Sequence, residues 1–192
     1  MLFKQISKLT QGSEQAIRKA NSLLNRIIMR GTGRAEEGSL LVGGEEIPSG
    51  DIEAMVEASE GGLKVAHRWI TTGQKRISVN DDEGEVELDI ETRSYVEDIE
   101  TGQEMTRDVS VAALNVNNRT GRVYLHDAGH TVPFFIHKDA VGRTITNLST
   151  YLDEYAHKTG ATVNIRYRPL IHNDGRVKRL IVFDCFEIGD AA

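Results

Sequence analysis

The chain has one cysteine, few aromatic residues and no long apolar run. The single thiol, Cys185, excludes internal disulfides and cysteine-rich zinc sites. It suits a reducing compartment, so a cytoplasmic protein is expected. No run of ~18 apolar residues occurs, and no membrane span is expected. The opening MLFKQISKL lacks the long apolar core and small-residue cleavage site of a secretory leader. Catalytic signatures are missing too. There is no G-x-x-x-x-G-K-[ST] loop, and the glycines of 31–50 sit among Glu36, Glu37, Glu45 and Glu46, which oppose phosphate. No G-x-S-x-G occurs. Cys185 lies in a strand-like run between Phe183 and Phe186 and reads as a small buried hydrophobe, not a nucleophile. The chain is therefore read as non-catalytic, with no cofactor.

What is present is segregated charge. The net charge of −6 over 192 residues hides three regions. Residues 1–34 hold seven Lys/Arg against one Glu; residues 35–108 hold six against twenty; residues 109–192 hold ten against eight. The expected organisation is a basic amphipathic segment at 1–34, an acidic α+β region at 35–105 and a small barrel at 106–192. The acidic middle repels a polyanion, whereas either flank can meet one.

Residues 1–12 read as a short tail or weak turn. Ser13 and Glu14 open a helix whose Ala16, Ile17, Ala20, Leu23, Leu24, Ile27 and Ile28 form one stripe, ending at Gly31. That stripe is expected to pack on its own domain or on a copy. A membrane-surface helix and a transit segment are the other readings of its basic polar face. Ser49 and Asp51 open a second helix, interrupted at Gly61-Gly62, with Trp69 expected in the core. Ile77 and Val79, then Val86, Leu88 and Ile90, alternate around Asp81–Gly84 as a hairpin. Glu85, Glu87, Asp89 and Glu91 then share its other face. Spaced at ~7 Å, they read as a solvated or partner-facing row, not a metal site. Residues 92–108 read as a linker or a further hairpin.

Beyond Val109 the turn chemistry is strong. Val109, Val111 and Ala113 precede the turn Asn117–Gly121; Arg122–Leu125 returns; Thr131–Ile136 follows, an edge or bulged strand because Pro133 donates no hydrogen bond. A helix near Asn147–His157 precedes Val163–Arg168, the turn Asn173-Asp174-Gly175 and a buried run Leu180–Ile188. Three strands, one helix and two strands resemble an OB-fold, with an SH3-like barrel as runner-up. The fold class is α+β. The resemblance implies a positive groove with stacking rings that takes single-stranded nucleic acid.

The candidate nucleic-acid residues are Arg119, Arg122, Tyr124, Arg166, Tyr167, Arg168, His172, Arg176, Lys178 and Arg179, mostly a basic ribbon on the last hairpin. Phe134 and Phe135 are further ring candidates, but only one can point outward on a regular strand. The plainer reading of the ribbon is a charged, protected edge. The alternative function is a protein adaptor or assembly subunit using the helix at 14–30, for self-association or a partner, and the acidic face at 85–91. The weakest is a small hydrolase with a histidine site. His126, Asp127, His130 and His137 gather near one turn, where surface histidines are the simpler reading than zinc ligands.

Overall fold

The computed structural model describes residues 2–35, 38–42, 44–81 and 84–187, with side chains from residue 14 onward except at 81. Two compact units divide the chain, Met1–Asp98 and Ile99–Ala192.

The first unit holds α1 (Leu2–Gly31), β1 (Leu40–Val42), β2 (Glu45–Ile47), α2 (Ser49–His67), β3 (Ile77–Asp81), β4 (Gly84–Leu88) and α3 (Ile90–Glu97). Helix α1 starts at Leu2, so residues 2–12 are helical and not a tail. The stripe is not buried as expected. Ile17 is 59% exposed and Leu24 49%, with Ala16 and Ala20 also open, while Ser22, Asn25, Ile27 and Arg30 are buried. Polar contacts hold the end of the helix. Arg30 Nε pairs with Glu53 Oε1 at 3.1 Å on α2, and its Nη2 donates to Gly38 O at 2.9 Å.

Helix α2 runs unbroken through Gly61-Gly62, because a glycine in a helix weakens it without ending it. It stops at His67, whose Nδ1 lies 2.7 Å from Leu63 O and Nε2 3.0 Å from Thr92 Oγ1. Trp69 therefore falls beyond the helix and is 75% exposed, not core; Ile70 takes the buried place instead. The hairpin β3/β4 forms with Val79 opposite Val86, its turn at 82–83 lying outside the described residues. It ends two residues earlier than the alternation implies, because Asp89 caps α3: its side chain accepts from Thr92 N at 2.9 Å while Thr92 Oγ1 accepts from Asp89 N at 2.8 Å. The acidic row is thus broken up. Glu87 pairs with Arg76 at 2.8 Å, and Arg34 takes both Asp89 (2.7 Å) and Glu91 (3.1 Å).

The second unit holds β5 (Ile99–Thr101), β6 (Met105–Asn115), β7 (Thr120–Leu125), β8 (His130–Ile136), α4 (Arg143–Ala156), β9 (Val163–His172) and β10 (Val177–Phe186). The pairings close a ring β6-β7-β8-β10-β9-β6, with β8 and β10 parallel and every other pair antiparallel. Numbered within the barrel this is order 1-2-3-5-4-1 with the helix between strands three and four, the OB-fold topology. Strand β6 manages two partners by length: 105–109 pair with β9, 110–115 with β7, and a register shift between Val111 and Ala113 bends it. Strand β5 extends the free edge of β9.

Alternating residues fill the interior. Val109, Val111, Val123, Val163, Ile165 and Val182 are each fully buried, and Leu148 of α4 packs against them. At ~1.5–3 kcal/mol per buried aliphatic side chain, this layer is the main support of the barrel. Gly121 is required here: a Cβ would stand 2.2 Å from Ala113 O and 2.5 Å from Phe134 Cζ. Strand β8 is not an edge. Pro133 is tolerated because the parallel ladder to β10 begins one residue later, at Phe134 opposite Leu180.

Candidate nucleic-acid interface

Strand alternation that sends Val132, Phe134 and Ile136 inward sends Pro133 and Phe135 outward. Register then sets the neighbours. Phe135 lies opposite Thr120 on one side and Ile181 on the other, and Ile181 lies opposite Arg168. The result is an outward row Thr120–Phe135–Ile181–Arg168 across four strands. A second row runs beside it: Arg122 opposite Pro133, with Arg179 level with Pro133 and paired to Leu170. The first row places Phe135 and Ile181 between Thr120 and Arg168, and the second adds Arg122 and Arg179 on either side of Pro133.

A register shift between Val182 and Asp184 sets Phe183 out of the ladder. Its ring lies under the Arg168 guanidinium at 5.5 Å and 4.8 Å from the His137 ring. Arg119 Nη2 donates to His137 O at 2.7 Å, which brings a further guanidinium to this end of the row. Glu104 holds Arg166 Nη1 at 2.9 Å and Arg168 Nη2 at 3.5 Å. The hydrogen bond from Arg166, with the charges of both arginines and the Arg168 hydrogen bond, outweighs desolvation and keeps the Glu104 carboxyl below its usual range. Two guanidiniums on one carboxylate leave the pair with a net positive charge at neutral pH.

Of the residues read from the sequence, Arg119, Arg122, Arg166, Arg168 and Arg179 belong to this face or its margin. Tyr167 does not: it is 3% exposed, inside the barrel. Tyr124 packs edge-on to His126 at 5.2 Å. Arg122 turns back toward its own sheet, donating from Nε to Thr131 Oγ1 at 3.3 Å. Arg176 is held by Asp174 at 2.6 Å within the hairpin turn, and His172 closes that turn by donating its N–H to Arg176 O. Burial alone would raise Asp174, but the Arg176 N–H, side chain and charge outweigh it and lower the carboxyl. Lys178 sits at a register shift between Val177 and Arg179. The ribbon therefore divides between the turn and the barrel face. The sequence did not single out Ile181, and it placed Phe183 only beside Cys185 and His137 only near the histidine turn. Alternation counted back from Leu180 places Ile181 outward, whereas the bulge that frees Phe183 leaves no local trace.

The histidine turn offers less. Ser110 Oγ lies 3.1 Å from His126 Nε2, but Ser110 is 4% exposed and Asp127 pairs with Arg107 at 3.1 Å. Among the described residues no three His, Cys, Asp or Glu side chains gather closely enough for a metal ion. No described helix is long and apolar enough to cross a membrane. An open groove of about 590 Å³ lies between Val116 and α4, with Asp153 and Glu154 in its lining. That acidity sets it apart from the arginine face.

Unit two thus belongs by topology with the small OB-type barrels, with Phe135, Ile181 and Arg168 in an outward row. Residues 103–186 match the model of a family of unknown function (DUF7947), a span that starts two residues before β6 and ends with β10. No curated protein and no solved structure matches the chain.

Proposed function

We propose that the barrel binds single-stranded nucleic acid, without base specificity, across the outer face of β7, β8, β10 and β9. The observation that carries this reading is the row Thr120–Phe135–Ile181–Arg168 with Arg168 held over Phe183. Phe135 and Phe183 offer π-faces on which unpaired bases stack. Arg168, Arg119 and Arg179 meet phosphates. Phe135 and Arg168 are two strand steps apart, about 10 Å, so one ring and one guanidinium serve neighbouring parts of the same strand. A duplex hides its base faces and gains only the phosphate contacts. The single buried thiol fits a cytoplasmic setting for this activity.

The test is fluorescence anisotropy of the full chain with labelled oligo-dT and oligo-U. Three phosphate contacts, at a slope of ~0.7 each, lower the affinity about 20-fold between 50 and 200 mM salt. Absence of binding at 50 mM salt overturns the proposal, as does equal affinity for a duplex of the same length.

A further inference from the structure

Helix α1 turns the wrong way for a helix that stands alone. Its buried residues include Ser22, Asn25 and Arg30, while Ala16, Ile17, Ala20 and Leu24 lie open. Residues of the same stripe nearer its end do pack: Ile27 is buried and Leu23 half-buried. The unit thus uses the last turns of the stripe and leaves the preceding ones uncovered.

The sequence along α1 has a second regularity. Leu2, Ile6, Leu9, Ser13, Ala16, Ala20, Leu23 and Ile27 follow at alternating steps of four and three. That seven-residue period is the seam of a helix paired with another helix. A membrane surface requires no such period, and an anionic one would repel residues 35–98, which hold seventeen Asp/Glu against five Lys/Arg.

We propose that α1 pairs antiparallel with α1 of a second copy of this chain, over residues 2–20. In the register that pairs positions summing to 22, the sequence sets Leu2, Ile6 and Leu9 opposite Ala20, Ala16 and Ser13, a large residue against a small one at each step. The overlap leaves Leu23–Gly31 to its own unit. Charge decides the direction. A parallel pair sets two acid-rich units side by side, whereas an antiparallel pair brings the Lys4 and Lys8 end of one helix to the acidic unit of the other.

Sedimentation equilibrium of the full chain reads the assembly, and at 50 μM it gives twice the 21.3 kDa chain mass. Ala20→Glu, at an exposed position, yields a monomer with unchanged circular dichroism and melting temperature. Direction is read by oxidation. Gly12→Cys lies near the two-fold axis of the antiparallel pair and gives a disulfide-linked dimer, whereas Ala20→Cys lies far from its copy and gives none. Native Cys185 does not interfere, since it is buried. A monomer at 50 μM, a dimer that survives Ala20→Glu, or linkage through Ala20→Cys in place of Gly12→Cys each overturns the proposal.

Discussion

The Arg168 guanidinium lies 5.5 Å over the Phe183 ring, although ten or more residues separate them and a register shift frees the ring. The cation and the ring thus lie together on the proposed binding face. Removing either part acts differently on a bound strand. Phe183→Ala or Phe135→Ala removes a stacking platform, worth ~1–3 kcal/mol per base, so affinity falls at least fivefold with the salt slope unchanged. Arg168→Ala removes a phosphate contact, so the slope itself falls by ~0.7. Anisotropy titrations of the three variants from 50 to 200 mM salt separate these effects. Unchanged affinity and slope in all three variants would place the strand elsewhere on the barrel.

In the proposed binding mode Glu104 would compete with phosphate for Arg166 and Arg168, both of which it holds. Its carboxyl is held below its usual range mainly by the hydrogen bond from Arg166, so it is ionised at neutral pH. Glu104→Gln keeps the shape and removes the negative charge. The expected result is a gain of about threefold in oligonucleotide affinity at pH 7, a screened charge effect that fades with salt. No gain at 50 mM salt would mean that Arg166 and Arg168 do not meet the strand.

Gly121→Ala tests the packing that closes the barrel. The added methyl meets Ala113 O at 2.2 Å and the Phe134 ring at 2.5 Å, and neither a backbone carbonyl nor a buried ring yields cheaply. A loss of about 2 kcal/mol is expected in urea unfolding followed by circular dichroism, within the usual range for overpacking. Pairing the change with Phe134→Leu, which clears the ring but not the carbonyl, should recover only part of that loss. A neutral single variant would show that β6 and β7 separate at little cost.

The barrel was legible because its signals are local. The Asn173-Asp174-Gly175 turn appears as read, with Gly175 at φ 89°, and alternation through Val163, Ile165 and Tyr167 put the right residues inside. The same alternation also buries Tyr167, which its chemistry alone had recommended for the surface. Long-range events were not legible. Trp69 lies outside because α2 ends two residues before it, where His67 meets Thr92. The end of α1 is held by Arg30 pairing with Glu53, 23 positions away, a contact that the α1 stripe does not announce. The candidate face needed the register of four strands to bring Thr120, Phe135, Ile181 and Arg168 into one row; no sequence window contains it.

The half-buried Arg143–Asp184 pair sets a pH dependence. Arg143 on α4 reaches Asp184 on β10 with Nε at 3.1 Å and Nη2 at 2.9 Å, and the Cys185 N–H adds a third bond to the same carboxylate at 2.8 Å. The Asp184 side chain is 8% exposed and that of Arg143 41%. Burial pushes the Asp184 carboxyl up, but the Arg143 hydrogen bonds and charge and the Cys185 N–H together outweigh it, so the group lies below its usual value. A depressed folded-state pKa stabilises the fold above the unfolded value. That contribution is complete above the unfolded-state pKa of about 3.9 and is lost as pH falls through the lower folded value. Urea titrations from pH 7 down to pH 3 should show it. Asp184→Asn should flatten the acid limb, while Arg143→Ala should lower stability at pH 7 by about 2 kcal/mol, less than the ~3–5 of a fully buried pair because water reaches the guanidinium. An acid limb unchanged by Asp184→Asn would assign the dependence to other carboxylates.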